Sequence, residues 1–564
     1  MLKPVEVATE AINSFCKDVP PWKLVLISSA CTLSTLYFYR QLQRYDEIWA
    51  TLKLRAIRLV LKLPKYRKEL NDAMAKIDNT LTKDFEEVLD GMKYCTSLPE
   101  HGLGEEETIR ELERNLKLGH YKATAGTLSG TVYHAEAANH RVQAKALDKA
   151  AWTNPLHADV FPGVRKMEAE VVAMCCRLFH GGPSAGGTMT LGGTESILLA
   201  CLAYRNKAQT EKGIDRPEIV CSVATHSAFD KAAFYFGMKI RHVPVDPVTQ
   251  RIKVQDVKRA INRNTCMLVA SAPSFPHGII DPVTEIAQLG LEYGIPVHVD
   301  ACLGGFLLCF MEDAGFSPPP FDFRVPGVTS ISADTHKYAY CIKGSSVILY
   351  KDKDKVSGTS LLPEAGFPLS YSACDSSCKA FLVLPPQDLR NHQVFVQPSW
   401  TGGVYATATT TGSRPGALVA ATWAALMFRG KSGFIETTRK VVNTARYIEE
   451  KIRAIPGLKT LGRPDTSVIP IFSDRFSIYR FADELSSRGY NLSLLQYPPA
   501  IHLAVTLCHT EPGIADSFIN ACQEAAAEIL KSPDSKTSGS VRMAFRISPE
   551  LKTSAANGAV KKTD

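Results

Sequence analysis

Lys337 directly follows His336 in the stretch SISADTHKYAYCIKGSS, Ser330–Ser346, and a second lysine, Lys343, stands just ahead of Gly344. A lysine is costly to bury. One set at a strand end beside a histidine is either in a solvated loop or has a reaction to run. In a ligand crevice, desolvation lowers its pKa and leaves a nucleophilic amine. Asp300 ends the run PVHVD, where a carboxylate can hold a protonated heterocyclic nitrogen or cap a helix. In TLGGTESILLA two glycines open a helical pattern at Thr194, so free N–H groups at Gly193 and Thr194 can bind a phosphate or be capped in the ordinary way. His226, in ATHSAFDKAA, lies between a strand and a helix, placed to stack on an aromatic ring or to serve as a cap.

These residues need elements that bring them together. Strand patterns cover Glu218–Ser222, Ile240–Val245, Cys266–Ser271, Pro296–Asp300, Ser330–Ala333 and Ser345–Tyr350. Helical patterns cover Pro162–Phe179, Glu195–Arg205 and Val283–Tyr293. The alternation predicts an α/β fold with a mostly parallel sheet, and ligands bind at the carboxyl ends of such strands. Asp300, His226, the glycine turn and Lys337 all follow predicted strands or precede predicted helices. A phosphate turn, a stacking histidine, a carboxylate and a lysine together describe a site for pyridoxal 5'-phosphate. Lys337 would form the Schiff base, Asp300 would keep the pyridine nitrogen protonated, and Gly193 and Thr194 would hold the phosphate.

The chain has 564 residues, with 45% hydrophobic and 22% charged, as expected of a large folded protein. Its net charge of +8 is unevenly placed. Basic residues crowd Arg40–Lys68, just after the apolar run Leu24–Tyr39. A basic flank after an apolar run predicts a single membrane anchor with the rest of the chain cytosolic, rather than a nucleic-acid surface. The segments expected are a lumenal tail over 1–23, a transmembrane anchor over 24–39, and a basic stalk with a helical segment over 40–119. A catalytic domain over 120–430, a smaller C-terminal α/β domain over 431–531 and a disordered tail over 532–564 follow. Helices at Gly416–Phe428, Ser432–Ile455, Arg475–Arg488 and Pro512–Lys531 and strands at Ser467–Phe472 and Ile501–Val505 fill the C-terminal part. The 15 cysteines lack metal-ligand spacing, Cys374 and Cys378 included, so no metal site is expected.

The motifs NPLHADVFPG, LGGTESILLA, HVDACLGGF, SISADTHKYAY, KGSS and GSRPG resemble those of the sphingosine-1-phosphate lyases, over about residues 20 to 530. The resemblance implies a pyridoxal-phosphate fold of type I, with a large and a small domain and an N-terminal transmembrane helix. It also implies a homodimer in the endoplasmic reticulum membrane, each active site built from both subunits. The family's reaction is retro-aldol cleavage of the C2–C3 bond of sphingosine 1-phosphate and related sphingoid base phosphates. The products are a long-chain aldehyde and phosphoethanolamine. By this resemblance Tyr133, His157 and Lys343 bind the substrate phosphate, and His336 and Gly403 join Lys337, Asp300, His226, Gly193 and Thr194 around the cofactor. Asn154 and His277 stand close by, and Arg414 is expected in a salt bridge. The base for the C3 hydroxyl is open among Tyr133, His226, Lys337 and the cofactor phosphate.

Residues 355–388 and the tail from about 537 depart from the family pattern. The insert has no clear periodicity and is unusually long for a structureless loop. Two other readings use the same residues: a pyridoxal-phosphate amino-acid decarboxylase, and a membrane-anchored form silenced by the insert. Release of carbon dioxide would mark the first, failure to bind the cofactor the second.

Overall fold

The computed structural model describes residues 19–43, isolated positions between 59 and 92, and residues 94–119, 121–351 and 389–533. The 355–388 insert, most of the 40–70 stalk and the tail beyond 533 lie outside the described residues. The chain forms two compact units, one of Met1–Gly119 with Ser538–Asp564, the other of His120–Thr537.

In the first unit, α1 (Pro21–Gln43) contains the apolar run and α2 (Glu105–Leu116) is a charged surface helix. Glu105, Glu106 and Glu107 in the first turn of α2 and Arg114 in its last complement the helix dipole. Among the described residues no helix is long and apolar enough to cross a membrane. The span expected over 24–39 is present as helix, but Ser28, Ser29, Thr32, Ser34 and Thr35 dilute it. Two of these hydroxyls fold back on the backbone, Ser28 Oγ donating to the Val25 carbonyl at 3.2 Å and Thr32 Oγ1 to the Ser28 carbonyl at 2.8 Å.

The second unit is built on a seven-stranded sheet in the order β1-β7-β6-β5-β4-β2-β3. Its strands are β1 (Gly186–Thr190), β2 (Glu218–Ser222), β3 (Lys239–Val243), β4 (Thr265–Ser271), β5 (Val297–Asp300), β6 (Val328–Ala333) and β7 (Ser346–Tyr350). The strands β2, β4, β5 and β7 are buried at every residue, as sheets covered on both faces require. Pairs from β3 through β2, β4 and β5 to β6 are parallel, whereas β7 is antiparallel to both β6 and β1. The sheet is therefore mixed. Two reversals cancel, so β1 runs in the same direction as β6. The carboxyl ends of β1, β2, β4, β5 and β6 and the amino end of β7 consequently share one edge.

Helices join these strands: α3 (Ala137–Ala150) and α4 (Pro162–Leu178) precede the sheet, and α5 (Gly193–Lys212), α6 (Ala228–Phe236), α7 (Val254–Ala260), α8 (Val283–Tyr293) and α9 (Gly305–Met311) lie within it in sequence. After β7 an antiparallel hairpin follows, β8 (Phe395–Trp400) with β9 (Gly403–Thr407), and then α10 (Gly416–Ala454). The two helices predicted there meet at Gly430, whose φ of 60° and ψ of 170° break the helical path. The C-terminal sheet is antiparallel, in the order β10-β11-β13-β12, with β10 (Lys459–Thr460), β11 (Val468–Phe472), β12 (Ser493–Leu495) and β13 (Ala500–Ala504). It carries α11 (Ile478–Ser487) and α12 (Ile514–Leu530).

The segment 127–133 docks on this second sheet. Leu128 bridges to Asn491, and the Gly130 amide donates to the Ala504 carbonyl at 3.0 Å. The Ser129 hydroxyl donates to the His502 carbonyl and accepts from the Ala504 amide, both at 2.9 Å. This docking delivers Tyr133 to the edge where the strands of the large sheet end.

Candidate active site

Lys337 sits in the turn after β6, and its Nζ lies 2.8 Å from Asp334 Oδ2. Asp334 is 3% exposed, and the Lys337 side chain keeps 21%. Burial pulls the Lys337 ammonium down, but Asp334, with Tyr133 and Cys302, outweighs burial and moves it up. Burial likewise raises Asp334, while Lys337 and His336 lower it further than that, so its net direction is down. The expectation that desolvation would lower Lys337 is thus corrected: beside Asp334 the balance of burial and charge favours its ammonium. Gly193 allows this arrangement. A Cβ there would lie 2.7 and 2.8 Å from the two Asp334 oxygens and 3.0 Å from Cys302 Sγ.

Asp300, the last residue of β5, is 6% exposed. Its Oδ1 accepts from the Cys302 amide at 3.1 Å and from Ser332 Oγ at 3.3 Å. Parallel pairing places Asp300 beside Ser332, so the carboxylate is fixed by the register of β5 on β6. At the end of β1, the 20-residue α5 opens at Gly193. Its first N–H groups, those of Gly193 and Thr194, have no intrahelical acceptor. Glu195 reaches back, its Oε2 accepting from the Leu191 amide at 2.7 Å. Its Oε1 accepts from the Thr410 amide at 3.0 Å and from the Thr410 hydroxyl. Glu195 thereby ties the glycine turn to the strap that leads from the hairpin to α10. Nothing in the residue's type marked it beforehand except its place three residues after Gly192, the spacing of a capping glutamate.

His226 is exposed at the end of β2. Its Nδ1 accepts from the Ala228 amide at 3.1 Å, and its ring meets Phe275 edge-on at 6.3 Å. It therefore caps α6 while presenting its ring at the shared edge. His336 donates from Nδ1 to the Ser345 carbonyl at 2.6 Å, which leaves Nε2 facing Asp334 Oδ2 at 3.8 Å. Burial lowers the His336 pKa, with Asp334 and the Ser345 carbonyl acting against it.

Tyr133 is 7% exposed, and burial pushes its hydroxyl up to about 12. Lys343 Nζ lies over the Tyr133 ring, 4.7 Å from its centroid. Burial, then the neighbouring Lys337, lowers Lys343 to about 8. Tyr133 also meets Tyr338 edge-on at 4.9 Å, and Tyr338 is anchored to the second sheet through Ser467 Oγ at 2.6 Å and the Val505 carbonyl at 2.7 Å. The sequence thus names Tyr133, Lys337 and Lys343 separately, and the structure groups them.

The other expected residues have these surroundings. His157 is exposed in the turn before α4, and among the described residues no hydrogen bond or ring contact joins it to Tyr133 or Lys343. Asn154 works on the strap, donating to Ser413 Oγ at 3.1 Å and accepting from the Arg414 amide at 3.2 Å. Arg414 makes the expected salt bridge, with two bonds to Glu168 at 2.7 and 3.0 Å. His277 is buried with Nδ1 unpartnered among the described residues, and burial lowers it to about 4. Gly403 begins β9 in the exposed hairpin, with a φ of 104° that suits glycine. Among the described residues no hydrogen bond joins Gly403 to Lys337, and Gly403 pairs instead with Trp400 across the hairpin.

Pyridoxal phosphate fits the donor set at the shared edge: an amine on Lys337, a buried carboxylate at Asp300 and the open N-terminus of α5. The comparisons agree. The pyridoxal-dependent decarboxylase conserved domain matches residues 93–365. The sphingosine-1-phosphate lyase of Drosophila melanogaster is 43% identical over 542 residues, which are 96% of this chain and 93% of that protein. The Saccharomyces cerevisiae enzyme is 39% identical over 541 residues, 93% of this chain and 86% of its own. The solved sphingosine-1-phosphate lyase of Burkholderia pseudomallei, 36% identical, aligns with a TM-score of 0.70 over 78% of this chain and 95% of its own. A Lactobacillus brevis glutamate decarboxylase, 20% identical with a TM-score of 0.62, shares the fold over 79% of this chain and 96% of its own. With identities of this size over nearly the whole of both chains, the protein belongs to the sphingosine-1-phosphate lyase family, within the pyridoxal-dependent decarboxylases of fold type I.

Proposed function

We propose that this chain cleaves the C2–C3 bond of phosphorylated sphingoid bases, giving a long-chain aldehyde and phosphoethanolamine. The observation that carries this reading within the fold is Lys343 over Tyr133, a second cation beside Lys337. A decarboxylase expels its substrate's carboxylate, so a fixed cation holding that group would oppose the reaction. A phosphate retained in the product calls for such a cation.

When bound, pyridoxal phosphate supplies the sink for the electron pair released from the broken bond. Lys337 is the amine that holds it, and Asp300 keeps a proton on its ring nitrogen. Gly193 and Thr194 present N–H groups to its phosphate, with the α5 dipole adding to the attraction. Tyr133, held protonated by burial, serves as a hydrogen-bond donor to the substrate and not as the base for the C3 hydroxyl. Lys343 attracts the substrate's phosphate.

The reading extends to a homodimer and to the endoplasmic reticulum membrane, with the N-terminus lumenal and the catalytic unit cytosolic. The hairpin β8–β9 exposes Phe395, Trp400 and Val404, a surface suited to a second copy of the chain. Exposed Trp22, Val25, Leu26, Ile27 and Leu33 on α1 and the basic stretch after it favour lipid. The test is incubation of the detergent-purified full chain with pyridoxal phosphate and sphingosine 1-phosphate. Aldehyde and phosphoethanolamine in equal amounts are expected. Carbon dioxide from glutamate or an aromatic amino acid, without those products, overturns the reading.

A further inference from the structure

Asp300 terminates a chain of hydrogen bonds that runs along one face of the large sheet. Ser332 Oγ donates to Asp300 Oδ1 at 3.3 Å, and His298 Nε2 lies 3.1 Å from Ser332 Oγ. His298 Nδ1 is 2.7 Å from Ser330 Oγ, which is 2.5 Å from the Tyr204 hydroxyl. Tyr204 in turn is 2.7 Å from Thr329 Oγ1, which also donates to the Val297 carbonyl at 2.9 Å. The strand period of two places His298 and Asp300 on one face of β5, and register puts them beside Ser330 and Ser332 of β6. His298, Ser330 and Ser332 are fully buried and Tyr204 nearly so, so solvent cannot supply missing partners.

Counting protons orients the chain. Each hydroxyl carries one hydrogen, a neutral imidazole carries one, and an ionised carboxylate carries none. Burial keeps His298 neutral, its pKa lowered to about 4. The Ser332 hydrogen goes to Asp300, so the contact between His298 and Ser332 needs the hydrogen on Nε2. Nδ1 then accepts from Ser330, and Ser330 accepts from Tyr204. Thr329 shares its hydrogen between Tyr204 and the Val297 carbonyl. Five hydrogens then serve six contacts, the shared one being that of Thr329, and those of Tyr204, Ser330, His298 and Ser332 point toward Asp300. Were Asp300 protonated, its hydrogen would go to Ser332, Ser332 would donate to His298 Nε2, and the Nδ1–H tautomer would supply one hydrogen to each contact, so the tautomer distinguishes the two cases.

We propose that His298 is a positioning residue for Asp300: as the Nε2–H tautomer it engages Ser332 and thereby fixes the Asp300 carboxylate where it can face the cofactor's ring nitrogen. The inference rests on the role given to Asp300 above. Three variants test it. His298→Gln keeps a donor near the Nε2 position, His298→Phe keeps the ring without a donor, and Ser332→Ala removes the intermediate link. The affinity of each for pyridoxal phosphate is measured by absorbance titration, with circular dichroism to show folding. Nitrogen-15 spectra of histidine-labelled wild-type chain, assigned by the signal lost in His298→Gln, give the tautomer without cofactor.

His298→Phe and Ser332→Ala should each weaken cofactor binding by about tenfold or more, and His298→Gln by less than about threefold, the scale of one hydrogen bond to an ionised group. The His298 signal should show Nε2 protonated. An Nδ1–H tautomer overturns the proposal, as does wild-type affinity in Ser332→Ala. If His298→Phe does not fold, the tautomer and Ser332→Ala decide alone. If the wild-type chain binds no cofactor, the reading of the site itself falls and takes the proposal with it, whereas the tautomer separates that failure from a wrong network.

Discussion

Replacing Asp334 by asparagine keeps its shape and strands the Lys337 ammonium beside a neutral group. At the observed 2.8 Å the two charges attract by about 6 kcal/mol at an effective dielectric of ~20, before desolvation is subtracted. Breaking a buried pair from one side costs about 3–5 kcal/mol. Because the Lys337 side chain keeps 21% of its exposure, water relieves part of that cost, and about 3 kcal/mol is expected for Asp334→Asn. The double variant Asp334→Asn/Lys337→Met removes both charges and should recover most of the loss, to within about 1 kcal/mol of wild type. The assay is denaturant unfolding of the cofactor-free chain. Asp334 has a folded pKa below its unfolded value of about 3.9, so its contribution is present above that pH and lost as pH falls through the folded value. Lys337 has a folded pKa above its unfolded value of about 10.4, so its contribution is complete below that pH and lost only as pH rises through the folded value. The gap between wild type and Asp334→Asn should therefore be flat from about pH 5 to 9 and shrink below about pH 4. A single-variant loss under about 1 kcal/mol, or a double variant that loses the sum of the singles, would refute the paired-charge account.

Lys337→Ala should abolish both turnover and the visible absorbance of covalently held cofactor; normal turnover would remove Lys337 from the reaction. Lys343→Met should raise the KM for phosphorylated substrate about tenfold to a hundredfold, the worth of a charged hydrogen bond. In the wild type the same affinity should fall as pH climbs through about 8, where the Lys343 ammonium loses its proton, and the variant should lack that inflection. A pH-independent KM in the wild type argues against Lys343 as the phosphate's partner. Deleting residues 24–39 should move the chain to the soluble fraction after cell lysis, and retention in a carbonate-washed membrane pellet would show that α1 is not the anchor.

The strand ends were legible because they are local. EIVCS and VTEIAQLGLEY fall in the structure as β2 and α8 where their patterns predict. Asp300 needed only the end of an apolar run. The strand β1, GGTMT, was missed: two glycines in five residues hide its pattern, and its identity comes from pairing with β7. The hairpin was missed for a similar reason, since Pro398 and the Gly402–Gly403 pair read as loop. Asp334 lies three residues before Lys337, close enough to be noticed, yet the sign of its effect depends on a contact distance no spacing supplies. His298 carried a clear signal, two residues before Asp300 on one strand face, but its meaning depends on Ser330, Ser332 and Tyr204 from two other elements.

These contacts divide the site by origin. Lys337, Asp300, Gly193 and Thr194 come from the ends of strands in one sheet, where the register of β5 on β6 and the direction shared by β1 and β6 fix them. A slip of one residue would turn Asp300 and His298 to the opposite face. Tyr133 is held differently, by a segment hydrogen-bonded to β13 of the second sheet and by Tyr338, which reaches Ser467 and Val505. Lys343 stands in the turn before β7 with its Nζ packed over the Tyr133 ring, which covers the ammonium on that side. A change in which substrate anion is held can therefore arise in the 127–133 segment and the 341–345 turn without disturbing the strand ends that hold the cofactor. A glutamate decarboxylase shares the fold at 20% identity. The physical difference to look for between such enzymes is the cation at the Tyr133 ring, not the lysine after β6.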